Sequence, residues 1–140
     1  MMVLGLTGGV GAGKSRILGL FSEDYGAQVI QADLVARELE EPGQPGLTGL
    51  VSLFGNEILS PDGTLDRKRF ADRIFGNPEA LKRVNALIHP LTWNEIKCRI
   101  RESKADLVVV EAALFDERSR DICQYLVYVD TEDEVRIRRL

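Results

Sequence analysis

The sequence contains little of what marks a secreted, membrane-spanning or nucleic-acid-coating protein. Its only two cysteines, Cys98 and Cys123, lie far apart and provide neither a disulfide framework nor a metal cluster. No apolar run approaches the ~20 residues that a membrane-spanning helix needs, and the N-terminus lacks the basic flank and cleavage site of a signal peptide. The formal net charge of −4 argues against a protein that coats nucleic acid. We therefore expect a soluble, cytoplasmic protein with reduced thiols and with neither a nucleic-acid nor a membrane partner.

Short apolar runs alternate with amphipathic segments, and a chain of 140 residues can form one domain, 1–140. Nearly unbroken apolar runs are typical of parallel strands that are covered on both faces, and they predict strands over 2–6, 28–32, 107–112 and 125–129. Helical spacing predicts helices over 15–23, 34–39 and 131–140. Thr131 and Glu134 form a capping box for the last of these. A further helix is expected between the third and fourth strands. This order predicts an α/β fold with an open, three-layer parallel sheet.

A cluster of helix-breaking residues, Pro42–Gly46, begins a segment of different character. Residues 42–104 show helical spacing and turns without a strong strand, so they predict a helical insertion in the sheet domain. The expected helices span 47–54, 66–75, 78–88 and 91–103. Pro90 should break or kink the chain between the last two.

The segment Gly8–Ser15 matches the pattern G-x-x-x-x-G-K-[ST], with an apolar strand before it and an amphipathic helix after it. Backbone N–H groups of such a turn form a nest for a triphosphate at a helix N-terminus. Lys14 would place its charge between the β- and γ-phosphates of ATP, and Ser15 would bind Mg²⁺ through its hydroxyl. The alternative is a glycine-rich turn without a ligand. The predicted phosphate-binding residues are Gly9, Val10, Gly11, Ala12, Gly13, Lys14, Ser15 and Arg16.

Two acidic residues at strand ends are candidates for chemistry beside this loop. Asp33 follows the second strand, and residues beyond the carboxyl ends of parallel strands gather around the ligand crevice. It would accept the proton of an attacking hydroxyl or help to hold Mg²⁺; a compatible alternative is that it caps the next helix. Glu111 closes the third strand and would bind Mg²⁺ through water, although acidic residues at strand ends are common.

Two basic features stay open on sequence alone. His89 precedes a proline, and a lone histidine near a kink is usually structural. Arg136, Arg138 and Arg139 either form a solvated helix face or reach the nucleotide.

Several further segments make the chain similar to the dephospho-CoA kinase family, and together they cover essentially all 140 residues. Gly5–Ser15 resembles the family's opening, and Val29–Arg37 resembles its V-I-D-A-D-x-x-A-R. The remaining matches are Pro42–Pro45 for P-G-x-P, Phe54-Gly55 for F-G, Asp62–Arg67 for D-G-x-L-x-R, and Asn85, His89 and Pro90 for L-N-x-x-x-H-P. The phosphate loop is shared with many unrelated proteins, whereas the A-D-x-x-A-R and H-P elements are specific.

The resemblance implies a P-loop NTPase sheet of strand order 2-3-1-4 and a reaction in which ATP phosphorylates the ribose 3′-hydroxyl of dephospho-CoA. It implies that Asp33 orients or deprotonates that hydroxyl, with Lys14 as the second catalytic residue. The insertion 42–104 becomes the CoA-binding part. Arg37, Arg67 and His89 become acceptor-side contacts, and the small-molecule partner is dephospho-CoA.

The sequence departs from the family pattern at four places. Gln31 replaces the first Asp of D-A-D, and Arg16 stands where Thr is usual, which leaves the Mg²⁺ hydroxyl to Ser15. Ala112–Asp116 occupies the place of P-L-L-hydrophobic-E, which leaves the role of Asp116 open. Family members also continue past Leu140 into a lid, a last strand and a terminal helix, so the resemblance implies a truncated sheet that lacks one edge strand. The alternative function is an incomplete nucleotide- or CoA-binding fragment without turnover, and an exposed sheet edge could pair with a second copy.

Overall fold

A computed structural model describes residues 1–8, 14–116, 119, 121–129 and 135–139 of the chain. The described residues contain five strands: β1 Met2–Gly8, β2 Gln28–Gln31, β3 Leu107–Glu111, β4 Tyr125–Val129 and β5 Val135–Arg139. The helices are α1 Lys14–Tyr25, α2 Ala32–Leu39, α3 Pro45–Phe54, α4 Arg67–Ile74 and α5 Pro78–Glu102, with a 3₁₀ turn at Asn56–Ile58. The chain forms two compact units, one of residues 1–33 and 96–140 and the other of residues 34–95.

The first unit is built on one sheet with the strand order β2-β3-β1-β4-β5. The first four of these strands are parallel, which confirms the predicted order 2-3-1-4. In β3, Val108, Val109 and Val110 are all fully inaccessible to water. Burial on both faces explains why this strand is apolar at successive positions instead of alternating.

The fifth strand corrects the prediction of a helix over 131–140. Val135–Arg139 pairs with β4 in the antiparallel direction, while residues 131–134 and 140, including the predicted capping box, lie outside the described residues. The sequence Val-Arg-Ile-Arg alternates with the period of two that suits a strand. Pairing with it also satisfies the backbone groups on the outer side of β4. The helix expected between β3 and β4 falls partly on residues 117, 118 and 120, which are also outside the described set.

The second unit has a core of its own. Its buried residues Leu50, Ile58, Val84 and Ile88 come from α3, the 3₁₀ turn and α5. α4 begins directly after Asp66, whose side chain accepts a hydrogen bond from the N–H of Arg69 at 3.0 Å. This N-cap agrees with the helix that was predicted to start at residue 66.

Pro90 does not divide α5, so the prediction of two helices separated at His89-Pro90 is wrong. The helix continues from Pro78 to Glu102 with Pro90 inside it. Buried side chains on both sides of the proline, Ile88 and Trp93, hold the helix in place. The carbonyl that would receive the missing proline N–H belongs to Ala86, which is exposed and open to water. Tertiary packing therefore outweighs the local helix-breaking tendency of proline.

Candidate functional site

The carboxyl ends of three parallel strands lie at one edge of the sheet. In the register of the sheet, Gln31 on β2 is level with Glu111 on β3, and Glu111 is level with Leu6 on β1. β1 continues two residues further to Gly8, and α1 starts again at Lys14. Ligands of open parallel sheets bind beyond such an edge. The sequence Gly9-Val10-Gly11-Ala12-Gly13 of the predicted phosphate loop lies outside the described residues, but the strand before it and the helix after it are both present.

Gly8 is fixed by close packing against the neighbouring strand. It is level with Val129 of β4, and a Cβ atom at this position would overlap the carbonyl oxygen of Val129. Only glycine lets the two backbones approach so closely at the start of the loop.

Lys14 and Glu111 form the ion pair at this edge. Lys14 Nζ lies 3.0 Å from Glu111 Oε1, and the two side chains are 21% and 12% exposed. The register of β1, β2 and β3 fixes Glu111, while the first turn of α1 carries Lys14. Both residues were predicted from the sequence, but their contact was not. The sequence did contain a signal for this contact. Glu111 ends one strand, Lys14 begins the helix that follows another, and the carboxyl ends of the two strands lie at the same edge of the sheet.

Ser15 and Arg16 follow Lys14 in the first turn of α1, and both are exposed. Their side chains are accessible to a ligand at this end of the helix. For Ser15, this placement is compatible with the predicted role of its hydroxyl.

Thr7 was missed by sequence analysis. Its side chain is buried, with 5% exposed, and its hydroxyl donates a hydrogen bond to the carbonyl oxygen of Ala113 at 3.1 Å. One residue earlier, the carbonyl of Leu6 accepts from the N–H of Ala112 at 3.0 Å. These two bonds hold the segment after β3 against the end of β1 and so support the position of Glu111. The hint in the sequence was a hydroxyl residue inside an otherwise apolar strand.

Asp116, at the end of this segment, is hydrogen-bonded to Ser119. Its Oδ1 accepts hydrogen bonds from the N–H of Ser119 at 3.1 Å and from the Ser119 hydroxyl at 3.2 Å. The Asp116 N–H in turn donates to the Ser119 hydroxyl at 2.8 Å, and Ser119 is fully buried. These hydrogen bonds tie Asp116 to Ser119.

Asp33 lies two residues beyond β2, near the carboxyl edge. The prediction that Asp33 is the N-cap of α2 is wrong. The helix already starts at Ala32, so Asp33 belongs to its first turn. A carboxylate there still interacts favourably with the positive end of the helix dipole. Asp33 is exposed, so its carboxylate is accessible to a ligand.

The predicted acceptor residues Arg37, Arg67 and His89 belong to the second unit, and all three are exposed. Arg37 lies on α2, Arg67 begins α4, and His89 lies on α5. Arg67 forms an ion pair with Glu40 at 3.3 Å. Glu40 was not predicted from the sequence to be a site residue.

An apolar cavity of about 540 Å³ lies elsewhere in the first unit, against α1, β1 and β4. Its lining residues are Met2, Leu4, Ile17, Leu20, Phe21, Tyr25, Tyr125 and Val127. None of them is charged, so the cavity does not suit a triphosphate. Among the residues with described positions, no cluster of three His, Cys, Asp or Glu side chains could hold a metal ion. In the same part of the chain, no helix combines the length and hydropathy needed to cross a bilayer.

A parallel sheet of order 2-3-1-4, with a glycine-rich segment between β1 and α1 and a lysine as the first residue of α1, is typical of the α/β P-loop fold. The sequence model of the dephospho-CoA kinase family, CoaE, matches residues 2–140, so the chain belongs to the dephospho-CoA kinase family. This result confirms the resemblance noted in the sequence and makes the chain a member of a transferase family.

Relatives named dephospho-CoA kinase agree with that assignment. The protein from Vibrio parahaemolyticus is 37% identical over 139 residues, which are 99% of this chain and 68% of the relative. The protein from Corynebacterium jeikeium is 42% identical over 144 residues, covering 100% of this chain and 73% of the relative.

Solved structures confirm the fold. TT1252 from Thermus thermophilus has a TM-score of 0.74 at 27% identity, covering 91% of this chain and 64% of its own. The dephospho-CoA kinase from Campylobacter jejuni has a TM-score of 0.67 at 23% identity, with coverage of 90% and 64%. The chain thus spans somewhat less than two thirds of each solved structure.

Proposed function

We propose that this chain carries the ATP-binding and catalytic residues of a kinase that phosphorylates the ribose 3′-hydroxyl of dephospho-CoA. This reaction is the last step of coenzyme A biosynthesis. The observation that carries the proposal is the position of Lys14. Its ammonium group lies at the carboxyl edge of the sheet, at the start of α1, against Glu111. The family match over residues 2–140 supplies the acceptor.

In the proposed reaction, the 3′-oxygen forms a bond to the γ-phosphorus while the bond from that phosphorus to the β–γ bridging oxygen breaks. ADP leaves with the electron pair, and the hydroxyl proton passes to the carboxylate of Asp33. The exposed position of Asp33 beyond β2 supports this role. Lys14 would stabilise negative charge on the transferred phosphoryl group.

The ATP phosphates would be held by the backbone of Gly9–Gly13 together with Lys14, Ser15 and Arg16. Mg²⁺ fits a site of this chemistry, because it retains several waters and takes phosphate oxygens with one or two protein oxygens. The Ser15 hydroxyl and, through water, the Glu111 carboxylate would provide the protein oxygens. When bound, the metal neutralises charge on the β- and γ-phosphates.

The acceptor would be bound by the insertion 42–104 and by Arg37, Arg67 and His89. Arginine side chains match the phosphate groups of a CoA-like molecule in charge and geometry. A cytoplasmic location, the absence of nucleic-acid partners and the pairing of a sheet edge with a second copy remain predictions from the sequence.

A coupled assay for ADP release tests the proposal. With ATP and Mg²⁺ present, dephospho-CoA should cause ADP release and gain one phosphoryl group by mass spectrometry. CoA is the matched control, because its 3′-hydroxyl is already phosphorylated, and it should cause none. If dephospho-CoA gives no more ADP than CoA while ATP still raises the melting temperature, the chain binds nucleotide without turnover and the proposal is wrong.

A further inference from the structure

Glu40 and Arg67 form an ion pair in which the two partners differ greatly in exposure. Arg67 Nη1 lies 3.3 Å from Glu40 Oε2, and the side chain of Glu40 is 10% exposed against 51% for Arg67. The carboxylate is therefore largely withdrawn from water, while half of the arginine side chain faces solvent. A buried carboxylate left without a cation is costly, so the pairing constrains where the guanidinium can lie.

The backbone on both sides of this pair is fixed. Arg67 follows Asp66, whose N–H donates to the carbonyl of the fully buried Ile58 at 2.7 Å. Glu40 follows α2, and its own N–H donates to the carbonyl of Arg37 at 3.1 Å. Both side chains thus start from ordered backbone, and the ion pair adds order to the long arginine side chain.

The contact leaves part of the guanidinium available. A guanidinium carries five N–H donors, and the contact to Glu40 engages one terminal nitrogen through a single carboxylate oxygen. The remaining donors belong to a half-exposed side chain. A fixed guanidinium with accessible donors is suited to bind a phosphate group.

We propose that Glu40 is a positioning residue that orders Arg67 for a phosphate group of the acceptor. This inference rests on the proposed function, which assigns the acceptor contact to Arg67. Ordering the guanidinium before binding lowers the entropy that the acceptor must otherwise overcome, because arginine loses much rotamer freedom when it is immobilised. Glu40 itself touches no substrate.

The test is the variant Glu40→Gln, which keeps the shape of the side chain and removes its charge. We expect KM for dephospho-CoA to rise by roughly three- to tenfold, the range for loss of a charge-assisted contact, with kcat and KM for ATP unchanged. The matched control is Glu57→Gln. Glu57, in the 3₁₀ turn, pairs at 2.5 Å with Arg73, which lies on the same helix α4 as Arg67, and both side chains are about half exposed. This control should leave all three constants unchanged.

A double-mutant cycle shows whether Glu40 acts through Arg67. In an Arg67→Ala background, Glu40→Gln should have no further effect on KM for dephospho-CoA. If the role of Glu40 is purely structural, Glu40→Gln should lower the melting temperature. It should also reduce kcat together with kcat/KM for dephospho-CoA and for ATP. That result would overturn the inference. An unchanged KM for dephospho-CoA in folded protein would also overturn it, as would a lower KM, which would mark Glu40 as a competitor of the phosphate.

Direct titration with dephospho-CoA separates this inference from the proposed function. If the wild type binds dephospho-CoA without releasing ADP, the kinase proposal fails, and weaker binding by Glu40→Gln still supports the positioning role. If the wild type releases ADP and Glu40→Gln behaves like the wild type, only the positioning role fails. A wild type that neither binds nor phosphorylates dephospho-CoA overturns both.

Discussion

The ammonium group of Lys14, at the start of α1, is bound to the carboxylate of Glu111, at the end of β3, over a distance of 3.0 Å. The two residues are 97 positions apart in the sequence. A phosphate group that binds Lys14 must share or replace this carboxylate. At the proposed site, nucleotide affinity should therefore depend on competition between phosphate and Glu111.

Glu111→Gln should change ATP binding in opposite ways with and without Mg²⁺. Without the metal, the variant lacks the carboxylate that competes for Lys14, so we expect ATP to bind roughly three- to tenfold more tightly. With Mg²⁺, we expect lower turnover, because the proposed water-mediated metal contact is weakened. Titration calorimetry in EDTA and in Mg²⁺, together with the ADP assay, measures both effects.

The control for this comparison is Glu23→Gln, which changes an exposed glutamate on α1. It alters the net charge by the same amount and should leave ATP affinity unchanged. Weaker ATP binding by Glu111→Gln in EDTA would mean that Glu111 supports the phosphate site instead of competing for Lys14.

Lys14→Met should weaken ATP binding and also destabilise the fold. The variant removes the cation from the Glu111 carboxylate, whose side chain is 12% exposed in the wild type, and we expect a loss of about 2 kcal/mol in the free energy of unfolding. Adding Glu111→Gln removes the buried charge and should restore most of that stability, but not the ATP affinity. Urea unfolding of the two single variants and the double variant measures the coupling. A double variant as unstable as Lys14→Met, or normal ATP affinity in Lys14→Met, would contradict the role of this pair.

Asp33→Asn should remove phosphoryl transfer and retain nucleotide binding. The amide cannot accept the hydroxyl proton, so kcat should fall by about 10²- to 10⁴-fold. Because Asp33 is exposed, the change should have little effect on stability. Single-turnover kinetics and ATP titration separate these effects, with Asp24→Asn, at an exposed position on α1, as the control. Unchanged turnover in Asp33→Asn would remove it from the chemistry.

The sheet could be predicted from the sequence because its signals are local. Val108, Val109 and Val110 form a short apolar run of β-branched residues, which favours a strand buried on both faces. The resemblance to a known family then supplied the strand order, since no local pattern determines which strands are neighbours.

Other features depended on contacts that no local pattern shows. Pro90 predicts a break, but Ile88 and Trp93 pack on both sides of it and keep α5 continuous. The strand at Val135–Arg139 forms against β4, which lies beside it only in the folded sheet. Glu40 showed no sign of a partner because Arg67 lies 27 residues away. Ion pairs between separate elements depend on the fold and could not be derived before it.

Gly8→Ala should destabilise the protein, whereas Gly19→Ala should stabilise it. A methyl group at Gly8 would overlap the Val129 carbonyl, and forcing β1 and β4 apart should cost about 2 kcal/mol or more. At Gly19, inside α1, the added methyl meets no atom within 4 Å apart from its chain neighbours and the backbone of its own helix, and the gain in helix propensity should contribute about 0.5–1 kcal/mol. Paired chemical-denaturation curves measure both. Equal effects of the two substitutions would show that close packing at Gly8 does not limit the residue there.

Cys123 should make stability depend on pH in the alkaline range. Burial raises the pKa of its thiol from 9.0 to about 12. Between these values the unfolded chain loses the thiol proton and the folded chain keeps it, so the unfolded state binds fewer protons. The free energy of unfolding should then fall by about 1.4 kcal/mol per pH unit from this group alone, whereas below pH 9 its contribution stays constant.

Comparison with Cys123→Ala isolates this contribution from the other groups that titrate at high pH. The difference in unfolding free energy between wild type and variant should shrink or reverse as the pH rises from about 9 to about 11. Cys123→Val has a different volume and also lacks the thiol, so it should give the same slope even if its stability at neutral pH differs. Wild-type and variant curves that stay parallel across this range would show that the thiol ionises equally in both states, and therefore that its burial does not suppress the thiolate.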